Sequence, residues 1–384
     1  MKYLQKAACY TLIFLQGLVF SSSCIEPFNP RIPSGENNIL IVEGYIRAGS
    51  GKSTFKLSRT VPVGTNNLIV AEENAIVSIV SSADEHFPLP EVADGIYESA
   101  DQSLPTDQEY ELNIRLTDGS EYVSQRLPVK VTPVIDDLRW EWTDAIDIYV
   151  RSHNQENNTR YYQFDFKEDW QIQSQYQSLY KWDGDTIVSR PAQERNQMYN
   201  CWKSSSSKGL IIYSTTRLEL DEVNFRLTRL PQAGERTSVR YSILVNQHAL
   251  TEEHFNYLTL MQKNTTQVGS FFDPMPSEIR GNIVNVNNPD EMIVGYVGSY
   301  TSESKRMFIN NYELPSRPTQ DKCATQAFKL STEFSAITSI LNEPSIWIPV
   351  GTFVDQQGLV WLTVMEQYCL DCRLRGSSTK PDFW

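Results

Sequence analysis

Histidine is scarce: of 384 residues only 4 are His, at His86, His153, His248 and His254. No two stand four apart on a helical face, and Glu252-Glu253 beside His254 does not make H-E-x-x-H, which argues against a zinc hydrolase. Cations are outnumbered, 34 Lys+Arg against 47 Asp+Glu, for a net charge of −13. Nucleic-acid binding needs clustered cations to neutralise phosphates, so that class is disfavoured. Broad electrostatic adhesion to anionic lipid is disfavoured for the same reason. Long apolar runs are missing after residue 20, leaving no internal membrane span. No G-x-S-x-G elbow occurs. Gly49-Ser50-Gly51-Lys52-Ser53-Thr54 has the ending of a phosphate-binding loop, yet Ile46 stands where the first Gly is required and a strand follows, so it reads as a plain turn.

The N-terminus sets the compartment. Lys2 and Lys6 precede an apolar run, Ala7–Phe20, and Ser21-Ser22-Ser23 then leads to Cys24. This is the layout of a secretory leader over residues 1–23, with Cys24 placed as in a lipobox and expected to carry the lipid. Ser21 departs from the aliphatic residue such boxes carry three before the Cys. Removing the leader deepens the charge to −15, because it carries Lys2 and Lys6 and no acid. Residues 24–37, with Pro27, Pro30 and Pro33, read as the lipidated Cys and an extended tether.

Six cysteines are present; Cys9 leaves with the leader and Cys24 is consumed by lipid. Cys201, Cys323, Cys369 and Cys372 remain as disulfide candidates, with three connectivities open. Cys369-Leu370-Asp371-Cys372 has C-x-x-C spacing, but it lies after strand-like sequence, outside a βαβ frame, and has no second C-x-x-C to complete a zinc ribbon. Each of the late pair is expected to staple the C-terminal tail to earlier strands. No metal site and no cofactor are expected.

The fold class is mainly β. Over residues 38–132, Glu109–Leu116 alternates Tyr110, Leu112, Ile114 and Leu116 with polar partners, and Asp118-Gly119 then turns the chain into Tyr122-Val123. Further strands fit Thr54–Leu57, Ala75–Val80 and Gly95–Glu98, which predicts an immunoglobulin-like or transthyretin-like sandwich. Residues 133–384 read as a larger β-rich domain with one or two helices. Tyr162, Phe164 and Phe166 share one strand face, Val239, Tyr241, Ile243 and Val245 another, and Met292, Val294 and Tyr296 a third. Thr251–Lys263 reads as a helix with Thr251 as cap and Phe255, Leu258 and Met261 as its apolar stripe. Ser204–Ser207 and Glu313–Lys322 read as loops. Asp136-Asp137 and Asp183/Asp185 read as solvated loop acids rather than a glycosidase pair. The aromatics of Tyr161–Trp182 are the one compositional hint of binding, set against a plain sheet core. No catalytic constellation is legible.

Three blocks, taken in order, carry a family resemblance. The first is Cys24-Ile25-Glu26-Pro27-Phe28, Val42-Glu43-Gly44-Tyr45-Ile46 and Leu57-Ser58-Arg59-Thr60. The second is Phe272-Asp273-Pro274, Gly281-Asn282-Ile283 and Gly295-Tyr296. The third is Cys369-Leu370-Asp371-Cys372-Arg373 with Lys380-Pro381-Asp382-Phe383-Trp384. The mature chain thereby resembles the Bacteroidota lipoproteins described as domain of unknown function 4249. The resemblance implies an outer-membrane lipoprotein, facing periplasm or cell surface, held through its lipid anchor and often encoded beside a TonB-dependent transporter; the leading expectation is an accessory binding or docking partner of such a transporter. It implies no reaction and no catalytic residues. A structural or adhesive surface module without a small ligand is the alternative, and an extracytoplasmic hydrolase a more distant one.

Overall fold

A computed structural model describes residues 38–61, 69–232, 234–266, 279–315, 323–342 and 346–384. The leader, Cys24 and the tether lie outside the described residues. So do Phe272-Asp273-Pro274 and residues 316–322 of the expected loop.

Two β-sandwiches follow one another. In the first, Leu40–Arg47 runs antiparallel to Thr54–Thr60, which pairs with Ile69–Ala71 and Ile96–Glu98. The facing sheet is built on Glu109–Arg115, flanked by Ile76–Ser81 and Glu121–Ser124. The predicted alternation holds: Tyr110, Leu112 and Ile114 are buried, and they meet Leu40, Val42, Phe55, Leu57 and Tyr97 in one core. Two buried tyrosines of this core keep their hydroxyls paired, Tyr97 donating to the Glu72 carbonyl at 2.9 Å and Tyr110 to the Pro105 carbonyl at 2.8 Å. Gly119 takes φ 88°, the left-handed geometry expected of the Asp118-Gly119 turn. The Gly49–Gly51 stretch pairs antiparallel with Gln102–Leu104 and leads into a strand.

The second sandwich packs the sheet Ile135–Trp142, Ala145–His153 and Glu222–Pro231 on a sheet built from Asn200–Ser206, Tyr161–Gln173, Arg240–Ala249 and Ser302–Asn310. Ile146, Ile148 and Val150 from one side meet Tyr162, Phe164, Tyr241, Ile243 and Val245 from the other. Beyond it, Thr325–Lys329, Trp347–Val354 and Val360–Glu366 form a small sheet under the helix Phe334–Asn342, with Ile337, Leu341, Leu362 and Val364 as its core.

Several local expectations change. Ser204–Ser206 is strand, not loop: it pairs with Lys167–Asp169 and Ser204 donates to the Asp169 carboxylate at 2.5 Å. Around Met292 the buried phase is Ile293, Gly295 and Val297, because Ile293–Val294 joins the sheet beside Leu40-Ile41 with the opposite face inward. Residues 283–300, which the sequence reading placed with the later domain, pair with the first sandwich. Ile283–Asn285 lies antiparallel to Glu121–Ser124, and Gly298–Tyr300 lies parallel to Tyr45–Arg47. The helix runs Glu252–Thr266, and Thr251 Oγ1 accepts the His254 amide at 3.2 Å. Its most buried positions are His254 and Tyr257 rather than the expected Phe255 stripe.

Candidate functional site

The chain crosses between the sandwiches along two described segments that are bonded to each other. Lys130 N donates to the Ser299 carbonyl (2.9 Å), Thr301 N to the Lys130 carbonyl (3.0 Å), and Thr132 N to Thr301 Oγ1 (2.8 Å). Gly298–Tyr300 of the first sandwich passes through Thr301 directly into Ser302–Asn310 of the second. An aromatic and histidine cluster sits at this doubled crossing.

Tyr45 stacks on Tyr300 with centroids 4.5 Å apart, and His248 lies 5.2 Å from both rings. His254 stacks on Tyr296 at 4.5 Å, with Tyr257 5.4 Å from Tyr296. Gly298 is required by close approach: a Cβ there would come within 2.7 Å of His254 Nδ1 and of the Tyr300 ring. Burial drives the His254 imidazole down to about 4 from 6.5, helped by the charge of His248. Burial likewise pushes the Tyr300 phenol well above its ordinary range, with Tyr45 and Asp165 adding to it.

On the second sandwich the cluster ends in a polar chain. His248 Nδ1 is 3.0 Å from Ser302 Oγ, and His248 Nε2 is 3.0 Å from an Asp165 oxygen. Asn246 donates to the other Asp165 oxygen at 2.6 Å. Burial would raise the Asp165 carboxyl, but the bonds from His248 and Asn246 outweigh it and hold the group below its usual value. These are the residue types of a Ser-His-acid relay, and sequence reading missed them because the fold assembles them from three strands at no fixed spacing. The arrangement is that of a clamp. Ser302 lies on an extended strand rather than a strand-to-helix elbow. Its hydroxyl is also 3.3 Å from Tyr45 Oη, and His248 is 3% exposed between two rings. A nucleophile needs an approachable hydroxyl and donors facing the developing oxyanion.

The remaining expected features disperse. Tyr162, Phe164, Phe166 and Trp170 are core, while Tyr161, Tyr180 and Trp182 are half-buried and Tyr176 is exposed. His86 pairs loosely with Asp84 at 3.7 Å, and His153 with Asp136 at 2.7 Å. Asp183 accepts the backbone amides of Asp185 and Thr186 within its own turn. A cavity of about 430 Å³ lies beside Trp170, Leu230, Pro231 and Arg236. Its charges are engaged, Arg236 with Glu168 at 2.8 Å and Glu235 with Lys203 at 2.7 Å. Among the described residues no group of His, Cys, Asp and Glu could hold a metal ion, and no helix is long and apolar enough to cross a membrane.

Four of the cysteines pair as Cys201–Cys372 and Cys323–Cys369, with Cα separations of 5.7 and 6.1 Å. The C-x-x-C therefore splits, each sulfur bonding a different distant segment. The tail after it is held on the outer face of the larger second sheet. Ser377 exchanges two backbone hydrogen bonds with Trp202, Arg306 lies 3.4 Å over the Phe383 ring, and Arg240 lies 5.4 Å over Trp384.

A model of the family described as Domain of unknown function (DUF4249) matches residues 25–306. The chain belongs to that family. All members of the junction cluster fall inside the matched span, whereas the disulfide Cys323–Cys369 and the C-terminal lobe follow it. No curated protein matches the chain. Similar solved structures include a two-domain fibronectin type-III segment from chicken tenascin. It is 9% identical, over 55% of this chain and 90% of that one, with a TM-score of 0.17. Chicken CNTN1 FN1–FN3 domains are 12% identical, over 54% of this chain and 60% of that one, with a TM-score of 0.16. The sandwich architecture described above rests on the strand pairing and cores of this chain alone.

Proposed function

We propose that this member of the family is an exported lipoprotein of the cell envelope that serves as a rigid docking partner of an outer-membrane transporter. The observation that carries the reading is the pair of disulfides. Each ties segments far apart in sequence, 171 and 46 residues, as suits an oxidising compartment. The leader and the Cys24 pattern agree with that compartment. The clamp at the junction supports a presenting role, since it fixes two sandwiches relative to one another with its polar atoms turned on each other. In this reading the anchor is acyl-Cys24, the partner is a TonB-dependent barrel and the protein carries out no chemistry. Crosslinking in intact cells, followed by purification in mild detergent, tests it. A transporter should be recovered with this chain, and repeated recovery without one counts against docking.

A hydrolase is a second reading, favoured only by the Ser302–His248–Asp165 chain. A fluorophosphonate probe discriminates. The docking reading expects Ser302 to stay unlabelled, and stoichiometric labelling there would replace it with hydrolysis.

A further inference from the structure

Burial in the hairpin of Trp347–Val354 and Val360–Glu366 falls off sharply toward its turn. Near the base Leu362 and Val364 are 0% and 1% exposed, while at the tip Phe353, Val354 and Val360 are 47%, 64% and 41% exposed. Val354 pairs with Val360, and Phe353 with Trp361. Successive strand residues point to opposite faces, so the tip is apolar on both. One face carries the two valines; the other carries the parallel rings of Phe353 and Trp361, 6.2 Å apart.

Charge is withdrawn from the same place. Within residues 346–365 the single ionisable side chain is Asp355, in a chain that is 21% charged with a net charge of −13. Asp355 is turned inward on its own loop, accepting the amides of Gln357 (3.0 Å) and Leu359 (2.8 Å) and the indole N–H of Trp361 (2.8 Å). The turn backbone closes on itself as well, Asp355 N donating to the Leu359 carbonyl and Gly358 N to the Asp355 carbonyl, both at 3.0 Å. Lys329, in register with Trp361, stands one pair behind the tip.

We propose that this hairpin tip is a membrane-contact element, seating Phe353, Val354, Val360 and Trp361 in the boundary between headgroups and acyl chains of a zwitterionic bilayer surface. A protein groove would cover one apolar face of a strand pair; a tip apolar on both faces suits a medium that surrounds it. Lipid also penalises unpaired polar atoms, and the turn pairs its Asp355 carboxylate and most of its backbone internally, while the exposed side chains of Gln356 and Gln357 stay at headgroup depth. Charge matching selects the lipid. An acidic body is repelled by an anionic surface, and the tip, with the Asp355 carboxylate in its turn and Lys329 one pair behind, does not offset that, so insertion rests on apolar area with an interfacial Trp. The inference goes beyond transporter docking and does not depend on acylation of Cys24.

Vesicle flotation of residues 25–384 tests it without the anchor. Every described strand, both disulfides and all described cores lie in residues 38–384, so this chain keeps the described fold. Phosphatidylcholine vesicles should carry the parent chain upward, and added phosphatidylglycerol should not increase the bound fraction. Val354→Asp or Val360→Asp, each at an exposed position, should lower binding about tenfold with an unchanged thermal melt. Val284→Asp, at an exposed valine on the first sandwich, should leave binding unchanged. The proposal is overturned if the parent stays at the bottom of the gradient, if binding requires the anionic lipid, or if the tip variants float like the parent. A second tip variant, Phe353→Ser, should also lose binding, which separates insertion from a misfolded hairpin.

Discussion

Acidification should loosen the junction through His254. In the folded chain this imidazole is held at about 4, whereas it returns to 6.5 once unfolding frees it. The unfolded state therefore takes up the proton first. Stability is complete above about pH 6.5 and is lost as the pH falls through the interval down to about 4. The full difference of two to three units corresponds to about 3 kcal/mol, of which about 2 kcal/mol is gone by pH 5. His254 is 5% exposed and faces Tyr296, Tyr300 and Gly298, so little solvent screens the cost. Urea unfolding of the parent and of His254→Gln at about pH 7 and about pH 5 isolates the effect, since every other titrating group is common to both. The parent should lose about 2 kcal/mol more than the variant over that range. Equal losses would refute the claim that a neutral imidazole is locked into the junction.

Gly298→Ala should cost about 1–3 kcal/mol in thermal unfolding, because its Cβ would lie 2.7 Å from His254 Nδ1 and from the Tyr300 ring; a neutral result would mean the rings can shift. Replacing Cys201 and Cys372 together with Ser should cost up to about 5 kcal/mol, against about 4 kcal/mol for the shorter Cys323–Cys369 loop, from separations of 171 and 46 residues. Denaturant midpoints measured with and without reductant check the order, and the reverse order contradicts it. Ser302→Ala removes one partner of His248 and should cost about 1 kcal/mol while leaving partner recovery from membranes intact. Loss of partner with stability unchanged would assign Ser302 a direct functional role.

The strands were readable where one face is wet and one dry. Glu109–Arg115 shows this best, since period-two alternation is a local property and the turn at Asp118-Gly119 needs only its own residues. Legibility ended where pairing is long-range. Ile283–Asn285 and Gly298–Tyr300 return to the first sandwich from the far side of a helix, and no sequence pattern announces which sheet a three-residue strand will join. Ser204–Ser206 looks like loop by composition; it is strand because its neighbour supplies Asp169 and a ladder of amides, so tertiary context overrode propensity. The four later cysteines were legible as a set, but their pairing was not, since it depends on which segments the second sandwich brings together. The junction cluster was invisible for the same reason. Tyr45, Asp165, His248, Tyr300 and Ser302 span most of the matched family region and meet only when the two sandwiches are joined.

Mass spectrometry of the N-terminal peptide from native cells tests the central claim most directly. The account predicts that the mature chain begins at Cys24 with a diacylglyceryl group in thioether linkage on its sulfur. A free thiol at that position, or residues 1–23 still attached, would contradict it.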